Sequence, residues 1–331
     1  MTVRLGVLST AHHHADLYAA ALESRDDAEI VAVADEDDDR GQSFADSHGI
    51  DYQPADDVLE RVDAAIVCAA NVNHGTWIRE AAAAGIDILC EKPLAPAGDQ
   101  AAELVRVCES AGVALGVAMP VRFSEPIRQA KAAVDEGAVG DLKAIVGTNI
   151  LQKMAAGTWF TDPDLSGGGA ILDHSVHIID LSRWITGQEV AEVYTETGTR
   201  FTDIEVEDID VLSMELDDGT IFTHDGSWRQ PEEWDFWGDV TLRLIGTDGV
   251  VEVDCFDQTL TRTRDSGDDP GIDSVYWGTD INKGLVGDFV DAVANNRPPA
   301  VTGTDGVREV RVVDAAYESA DRGEPVSVNY E

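Results

Sequence analysis

"VRLGVLSTAHHHADLYAAALESRDDAEIVAVAD", Val3 to Asp35, decides the fold. Two apolar runs, Val3–Leu8 and Glu29–Ala34, are of strand length and unbroken by polar alternation, as strands buried on both faces of a parallel sheet are. Ala15–Glu23 between them reads as a helix. Strand, helix and strand open a dinucleotide-binding fold, whose pyrophosphate sits on the first helix N-terminus. The turn is unusual. Where glycines are expected it reads Ser9-Thr10-Ala11-His12-His13-His14, and only Gly6, on the strand, matches. Ser9, Thr10 and Ala11 are small, and their N–H groups and hydroxyls are candidates to face a pyrophosphate, with His12 beside them. The three histidines either cap the helix or line the cleft. No metal is expected, because successive residues on a helix point in different directions.

The second strand ends in Asp35, about 20 residues after the turn, where an acid receives the adenosine ribose hydroxyls. Glu36, Asp37 and Asp38 follow it, and the next base is Arg40. A 2′-phosphate is repelled there, so NAD is expected over NADP.

The alternation continues through Ala64–Ala69, Asp87–Cys90 and Val113–Ala118, with helices at Asp39–His48, Thr76–Ala84 and Ala97–Ala111, and runs out near Pro120. This predicts a doubly wound α/β domain over residues 1–121. From 122 to 331 the texture changes. A helix at Pro126–Glu136 leads to "LKAIVGTNI", "VAEVYTETGTR", "DIDVLSMELDDGTIFTHDGSW" and "DVTLRLIGTDGVVEVDC". Their period-2 alternation and the hairpin signals "DDG" and "TDG" predict an α+β domain on a large, mostly antiparallel open sheet. Helices are expected at Ala170–Ile185, Lys283–Asn295 and Asp305–Ala320, the second packing Leu285, Phe289 and Val293 on one face.

Composition sets the outer bounds. The 331 residues are 44% hydrophobic, with 23 Lys plus Arg against 64 Asp plus Glu, a formal net charge of −41. Such a surface repels nucleic acid and anionic membrane. The acids are scattered through the chain, as in a protein adapted to salt, where screening acts within ~3 Å at 1 M. No run approaches the ~18 apolar residues of a membrane helix, and no leader precedes Val3, so a cytoplasmic protein is expected. Cys68, Cys90, Cys108 and Cys255 lack CxxC spacing and read as buried free thiols.

"CAANVNHGTWIREAAAAGIDILCEKPLA", Cys68 to Ala95, carries a more specific signal. Asn71 and His74, the alanine-rich helix, Ala84-Gly85 and Glu91-Lys92-Pro93 resemble the Gfo/Idh/MocA oxidoreductases, the family of glucose–fructose oxidoreductase and inositol dehydrogenase. "VRF" (Val121–Phe123) and "SGGGAILDHSVHIIDLSRWI" (Ser166–Ile185) resemble the family's next two signatures. The chain departs from the pattern at the glycine-poor turn and at Ala69-Ala70, where the family has Thr-Pro. The resemblance implies cofactor contacts from Ala69, Asn71, His74, Glu91, Lys92 and Arg122, a cis bond before Pro93, and a homodimer or homotetramer.

Read physically, Glu91-Lys92-Pro93 follows a buried strand and lies at the carboxyl end of the sheet, where ligands bind. Burial and a neighbouring cation there would lower a lysine from ~10.4 toward neutrality; a structural ion pair of Glu91 is the alternative. Asp173 and His177 stand at i and i+4 behind three glycines, an acid–base pair one helical turn apart. His174 is rotated away from Asp173, and Asp180 is placed to support His177. The expected activity is NAD(P)-dependent hydride transfer from a secondary alcohol of a sugar, polyol or similar small molecule. Lys92, Asp173 and His177 are the catalytic residues and also bind substrate. Lys153 and Trp159 join the substrate pocket, with Arg122, Trp228 and Trp237 as further candidates. Transient use of bound NAD in a hydrolase, epimerase or lyase cycle, and a non-catalytic NAD-binding regulator, are the alternatives.

Overall fold

The computed structural model describes residues 2–231, 233–234, 238–264, 271–276 and 278–331. The chain forms two units. The first comprises Met1–Pro120, Asp162–Gly167 and Asn282–Arg311; the second comprises Val121–Thr161, Gly168–Ile281 and Val312–Glu331.

In the first unit the chain runs β1 (Val3–Leu8), α1 (His14–Glu23), β2 (Ala28–Ala34), α2 (Asp38–His48), β3 (Asp51–Tyr52), α3 (Ala55–Leu59), β4 (Ala64–Val67), α4 (His74–Ala83), β5 (Asp87–Cys90), α5 (Gly98–Ala111) and β6 (Leu115–Val117). The six strands are parallel in the order β3-β2-β1-β4-β5-β6. This is the doubly wound order expected from the apolar runs. Every residue of β4 is buried, because helices cover both faces of such a sheet. The all-parallel order brings the carboxyl ends of β1 and β4 side by side at the switch point, the place where open α/β sheets bind ligands.

The later elements are α6 (Glu125–Asp135), β7 (Leu142–Thr148), β8 (Leu151–Gln152), α7 (Pro163–Ser166), α8 (Val176–Thr186), β9 (Val190–Gly198), β10 (Ile209–Leu216), β11 (Ile221–Asp225), β12 (Trp228–Gln230), β13 (Thr241–Gly246), β14 (Val250–Asp254), β15 (Thr259–Arg264), β16 (Gly271–Tyr276), α9 (Ile281–Asn295), α10 (Gly303–Arg322) and β17 (Val326–Ser327). Seven strands of the second unit form one sheet, β14-β13-β7-β11-β10-β9-β17. Its pairs are antiparallel except β7 with β11. The "DDG" and "TDG" turns join β10 to β11 and β13 to β14 as hairpins. Along β10, Ile209–Leu216, buried and exposed residues alternate. One sheet face therefore carries the core and the other carries Val146, Val211 and Ile221, each exposed.

In α9 the buried stripe is Leu285, Phe289 and Ala292. Val293 is only half-buried, since a strict i+4 row drifts off the face of a 3.6-residue helix. All four cysteines are buried and free, and burial pushes the Cys68 and Cys90 thiols well up. Among the described residues no helix is long and apolar enough to cross a membrane.

Candidate active site

The turn after β1 keeps a glycine's backbone without a glycine. Ser9 has φ +65°, a left-handed conformation that costs an L-residue about 1–2 kcal/mol. It is buried, its N–H donates to Ala34 O at 2.7 Å, and its hydroxyl accepts from Ala11 N–H at 3.3 Å. The donors of Thr10 do not face outward as the sequence suggested. Both its N–H and its hydroxyl go to Asp35 Oδ2, each at 2.7 Å. Gly6 answers a packing need: a Cβ there would lie 2.6 Å from Val58 Cγ1 of α3.

The three histidines cluster, contrary to the argument from helical geometry. His12 and His13 precede α1, and the ring centroids lie 4.1–4.8 Å apart. One nitrogen from each falls within 4.8 Å of the others. Two of the rings have structural work. His12 Nδ1 accepts the His14 N–H at 3.1 Å, which caps α1, and burial holds His12 well below the usual imidazole range. His14 Nδ1 lies 2.9 Å from Glu91 Oε1. His12 N–H donates to Cys68 O at 2.9 Å, which fastens the turn to the end of β4.

Glu91 follows β5 and is wholly buried. Besides His14, its Oε1 accepts the Tyr18 hydroxyl, and its Oε2 accepts the Lys92 N–H at 3.2 Å. Burial alone would raise this carboxyl, but His14, His12 and Lys92 outweigh it and hold Glu91 well below the usual carboxylate range. Lys92 is buried to 4% exposure, and the Lys92–Pro93 bond is cis. His74 sits between Pro93 O, 2.9 Å from Nδ1, and Ala69 O, 3.1 Å from Nε2. Burial lowers its pKa, against the opposing pull of Glu91 and the two carbonyls. Asn71 Nδ2 donates to Ser166 O at 2.8 Å. His74 and Asn71 thus brace the ends of β4 and β5.

In the second unit, the expected α-helix from Ala170 begins instead as a π-helical turn, Ile171–Ser175, and becomes α8 at Val176. Asp173 and His177 therefore do not have simple i, i+4 geometry. His174 joins them: its Nε2 lies 2.9 Å from Asp173 Oδ2, and its ring centroid lies 5.9 Å from that of His177, inclined at 70°. All three are buried. Asp180 does not support His177. It forms a buried ion pair with Arg122, whose Nε donates to Oδ2 at 2.7 Å and whose guanidinium lies 5.7 Å from the Trp184 ring centroid. Arg122, expected among the cofactor contacts, has Asp180 as an ion-pair partner.

Close approach explains the three glycines: at Gly167, whose φ is +78°, a Cβ would lie 2.6 Å from Pro96 Cβ. A Cβ on Gly169 would lie 2.2 Å from Glu207 O, and one on Gly168 would lie 2.2 Å from the Tyr317 hydroxyl. Glu207 Oε1 accepts the N–H groups of Gly169 and Ile171 and the Tyr317 hydroxyl, at 2.9, 3.2 and 2.7 Å. Below the π turn, the Ser175 hydroxyl donates to Asp210. Burial pushes Asp210 up to about 8 and, in neighbouring His224, lowers the imidazole to about 4. The sequence reading missed His174, Glu207 and Asp210; the Gly-Gly-Gly run was the available sign that another backbone lay close by.

Lys153 is exposed. Trp159 is half-buried and stacks on Phe160 at 3.8 Å. Trp228 belongs to the core with Leu151, Ala170, Ile204 and Val206, so it is no pocket residue. Trp237 lies outside the described residues.

The first unit fits a dinucleotide on its own geometry: the strand order reverses between β1 and β4, Ser9 is left-handed in the turn, small Ala69 and Ala70 stand at the end of β4, and Lys92 stands at the end of β5. Family comparison agrees. Residues 5–119 match the model of the oxidoreductase family with an NAD-binding Rossmann fold, and residues 127–252 match the GFO/IDH/MocA C-terminal domain. The chain belongs to the Gfo/Idh/MocA oxidoreductase family. It is 30% identical to D-xylose 1-dehydrogenase (NADP(+)) 2 of Haloferax volcanii, over 94% of this chain and 92% of that one. It is 25% identical to myo-inositol 2-dehydrogenase of Thermotoga maritima, over 98% of each. Among solved structures, GenD2 from gentamicin A biosynthesis, in complex with NAD, superposes with a TM-score of 0.90 at 26% identity, covering 99% of this chain and 97% of that one.

Proposed function

We propose that this chain oxidises a secondary alcohol of a sugar or polyol, passing hydride to NAD, with Lys92, Asp173 and His177 as the catalytic residues. The observation that carries the reading is Lys92: a buried lysine held at the carboxyl end of β5, its neighbour Glu91 fixed by His14 and Tyr18. The named activities of the xylose and inositol dehydrogenase relatives support the substrate class. Bound NAD supplies the hydride acceptor at C4 of the nicotinamide. The turn from Ser9 through Ala11 to His12 carries its phosphates, the Thr10–Asp35 clasp borders the adenosine ribose, and Ala69, Asn71 and His74 shape the floor beneath it. In this reading Lys92 hydrogen-bonds the reacting hydroxyl and His177 takes its proton, with the two acting as one coupled unit. Asp173 holds a neighbouring hydroxyl or the imidazoles beside it. Lys153 and Trp159 bound the substrate pocket.

Residues 1–121 serve the dinucleotide, and residues 122–331 serve substrate and self-association. The exposed face of the seven-stranded sheet, with Val146, Val211 and Ile221, packs on a second copy in a homodimer or homotetramer. The net charge of −41 suits a cytoplasm rich in salt. A panel of sugars and polyols, assayed for NAD reduction in molar salt, tests the activity. Reduction by none of them would count against it.

A further inference from the structure

The carboxylate expected to receive the adenosine ribose is already fully engaged. Asp35 Oδ2 accepts from Thr10 N–H and Thr10 Oγ1, each at 2.7 Å, and from Arg40 Nε at 3.1 Å. Its Oδ1 accepts from Asp37 N–H at 2.8 Å and from Arg40 Nη2. These five donors exceed the roughly four lone-pair directions a carboxylate offers, and the Asp35 side chain is 0% exposed. The clasp is built in. Gly41, one turn into α2, lets the helix start close on Asp35, since a Cβ there would lie 2.8 Å from Asp35 Cβ and 2.5 Å from Tyr52 Cε2. Arg40 covers Asp35 from the solvent side, 36% exposed, with Glu36 Oε1 at 3.0 Å from its Nη2.

A 2′-hydroxyl needs a free carboxylate oxygen, whereas a 2′-phosphate needs a cation. Here the carboxylate is charge-paired and enclosed, and the group nearest solvent is a guanidinium whose Nε and Nη2 face Asp35, so that its outer, Nη1 edge is the part that meets a phosphate. We propose that Arg40, not Asp35, decides the dinucleotide choice, so that this chain binds NADP as well as NAD. The proposal rests on the reading of the first unit as a dinucleotide site and adds the residue that sets its selectivity. Glu36, Asp37, Asp38 and Asp39 oppose a phosphate in dilute buffer; with a Debye length of ~3 Å at 1 M salt that opposition is largely screened, while the direct Arg40 contact persists.

The test is a titration of NAD and NADP against the full chain, followed by quenching of protein fluorescence at ~1 M salt. In the unmodified protein the two affinities should agree within about tenfold. Arg40→Ala should weaken NADP about tenfold or more and leave NAD unchanged or tighter, since Asp35 is uncovered; retained NAD binding also shows that the variant is folded. Lowering the salt should weaken NADP more than NAD. An NADP-to-NAD ratio unmoved by Arg40→Ala, or exclusion of NADP by more than a hundredfold in the unmodified protein, overturns the proposal while leaving the dehydrogenase reading intact. Failure of the unmodified protein to bind either dinucleotide overturns both.

Discussion

His174 Nε2 stands 2.9 Å from Asp173 Oδ2 on a π-helical turn. The extra residue in that turn changes which side chains meet. Asp173, assigned from spacing to His177, has an imidazole beside it in the next residue, and the His177 ring stands edge-on to that imidazole. The acid and the assigned base are thus linked through a third group. His174→Gln should lower turnover less than His177→Ala does, and shift the pH profile of kcat/KM. An unchanged profile would reduce His174 to packing.

Lys92→Ala and His177→Ala should each lower turnover ~100-fold or more, because general acid–base groups act in the transition state. Dinucleotide affinity, followed by fluorescence quenching, should stay nearly constant. Full activity in Lys92→Ala would defeat the mechanism even with the fold unchanged.

Asp210 gives stability a pH dependence of definite sign. Its folded pKa, about 8, lies above the unfolded value near 3.8. A raised acid favours the folded state most below the unfolded pKa, and that advantage is lost as pH rises toward 8. Asp210→Asn keeps the shape and removes the titration. Its melting temperature should gain on the unmodified protein between pH 5 and pH 8 and hold a constant lead above that. Parallel melting curves at all pH values would show that Asp210 is charged in the folded state.

How much of this was legible in the sequence differs by region. The parallel sheet was, because β1, β2, β4 and β5 are apolar runs that only a doubly covered sheet buries. The missed pieces, β3 and α3, are two and five residues long and carry Asp51, Asp56 and Asp57; too little apolar surface marks them. Lys92 was legible because its place follows from the strand before it. The partners of Asp35, Arg122 and Asp180 were not, since a charge pattern leaves open which of several nearby groups an ion will meet. The π turn was hidden for a related reason. Its hydrogen-bond period leaves the side-chain pattern of Ile171–Ile185 looking α-helical.

Low salt should destabilise the protein. At ~0.01 M the Debye length reaches ~30 Å, and a net charge of −41 repels itself across a whole unit. Melting followed by circular dichroism should show a clear fall after dialysis, and an unchanged midpoint would refute the assignment to a salt-rich habitat.

Self-association should appear in light scattering as a multiple of 35.5 kDa. Val211→Asp with Ile221→Asp, on one face of β10 and β11 by their register, should shift the mass toward a monomer. A monomer already present in the unmodified protein at high salt would remove the sheet face as an interface.

The hydroxyl of Tyr317 meets Glu207 at the point where Glu207 holds Gly169 and Ile171. Burial, and the Glu207 carboxylate beside it, push that phenol well above its ordinary pKa, which favours the hydroxyl as donor. The segment bearing Asp173, His174 and His177 is consequently moored to a helix near the far end of the chain. Cutting the chain before Tyr317 would leave every assigned catalytic side chain in the sequence, yet would slacken the mooring that aims two of them, Asp173 and His177. On the assignment proposed above, activity depends on the C-terminal helix as much as on Asp173 and His177.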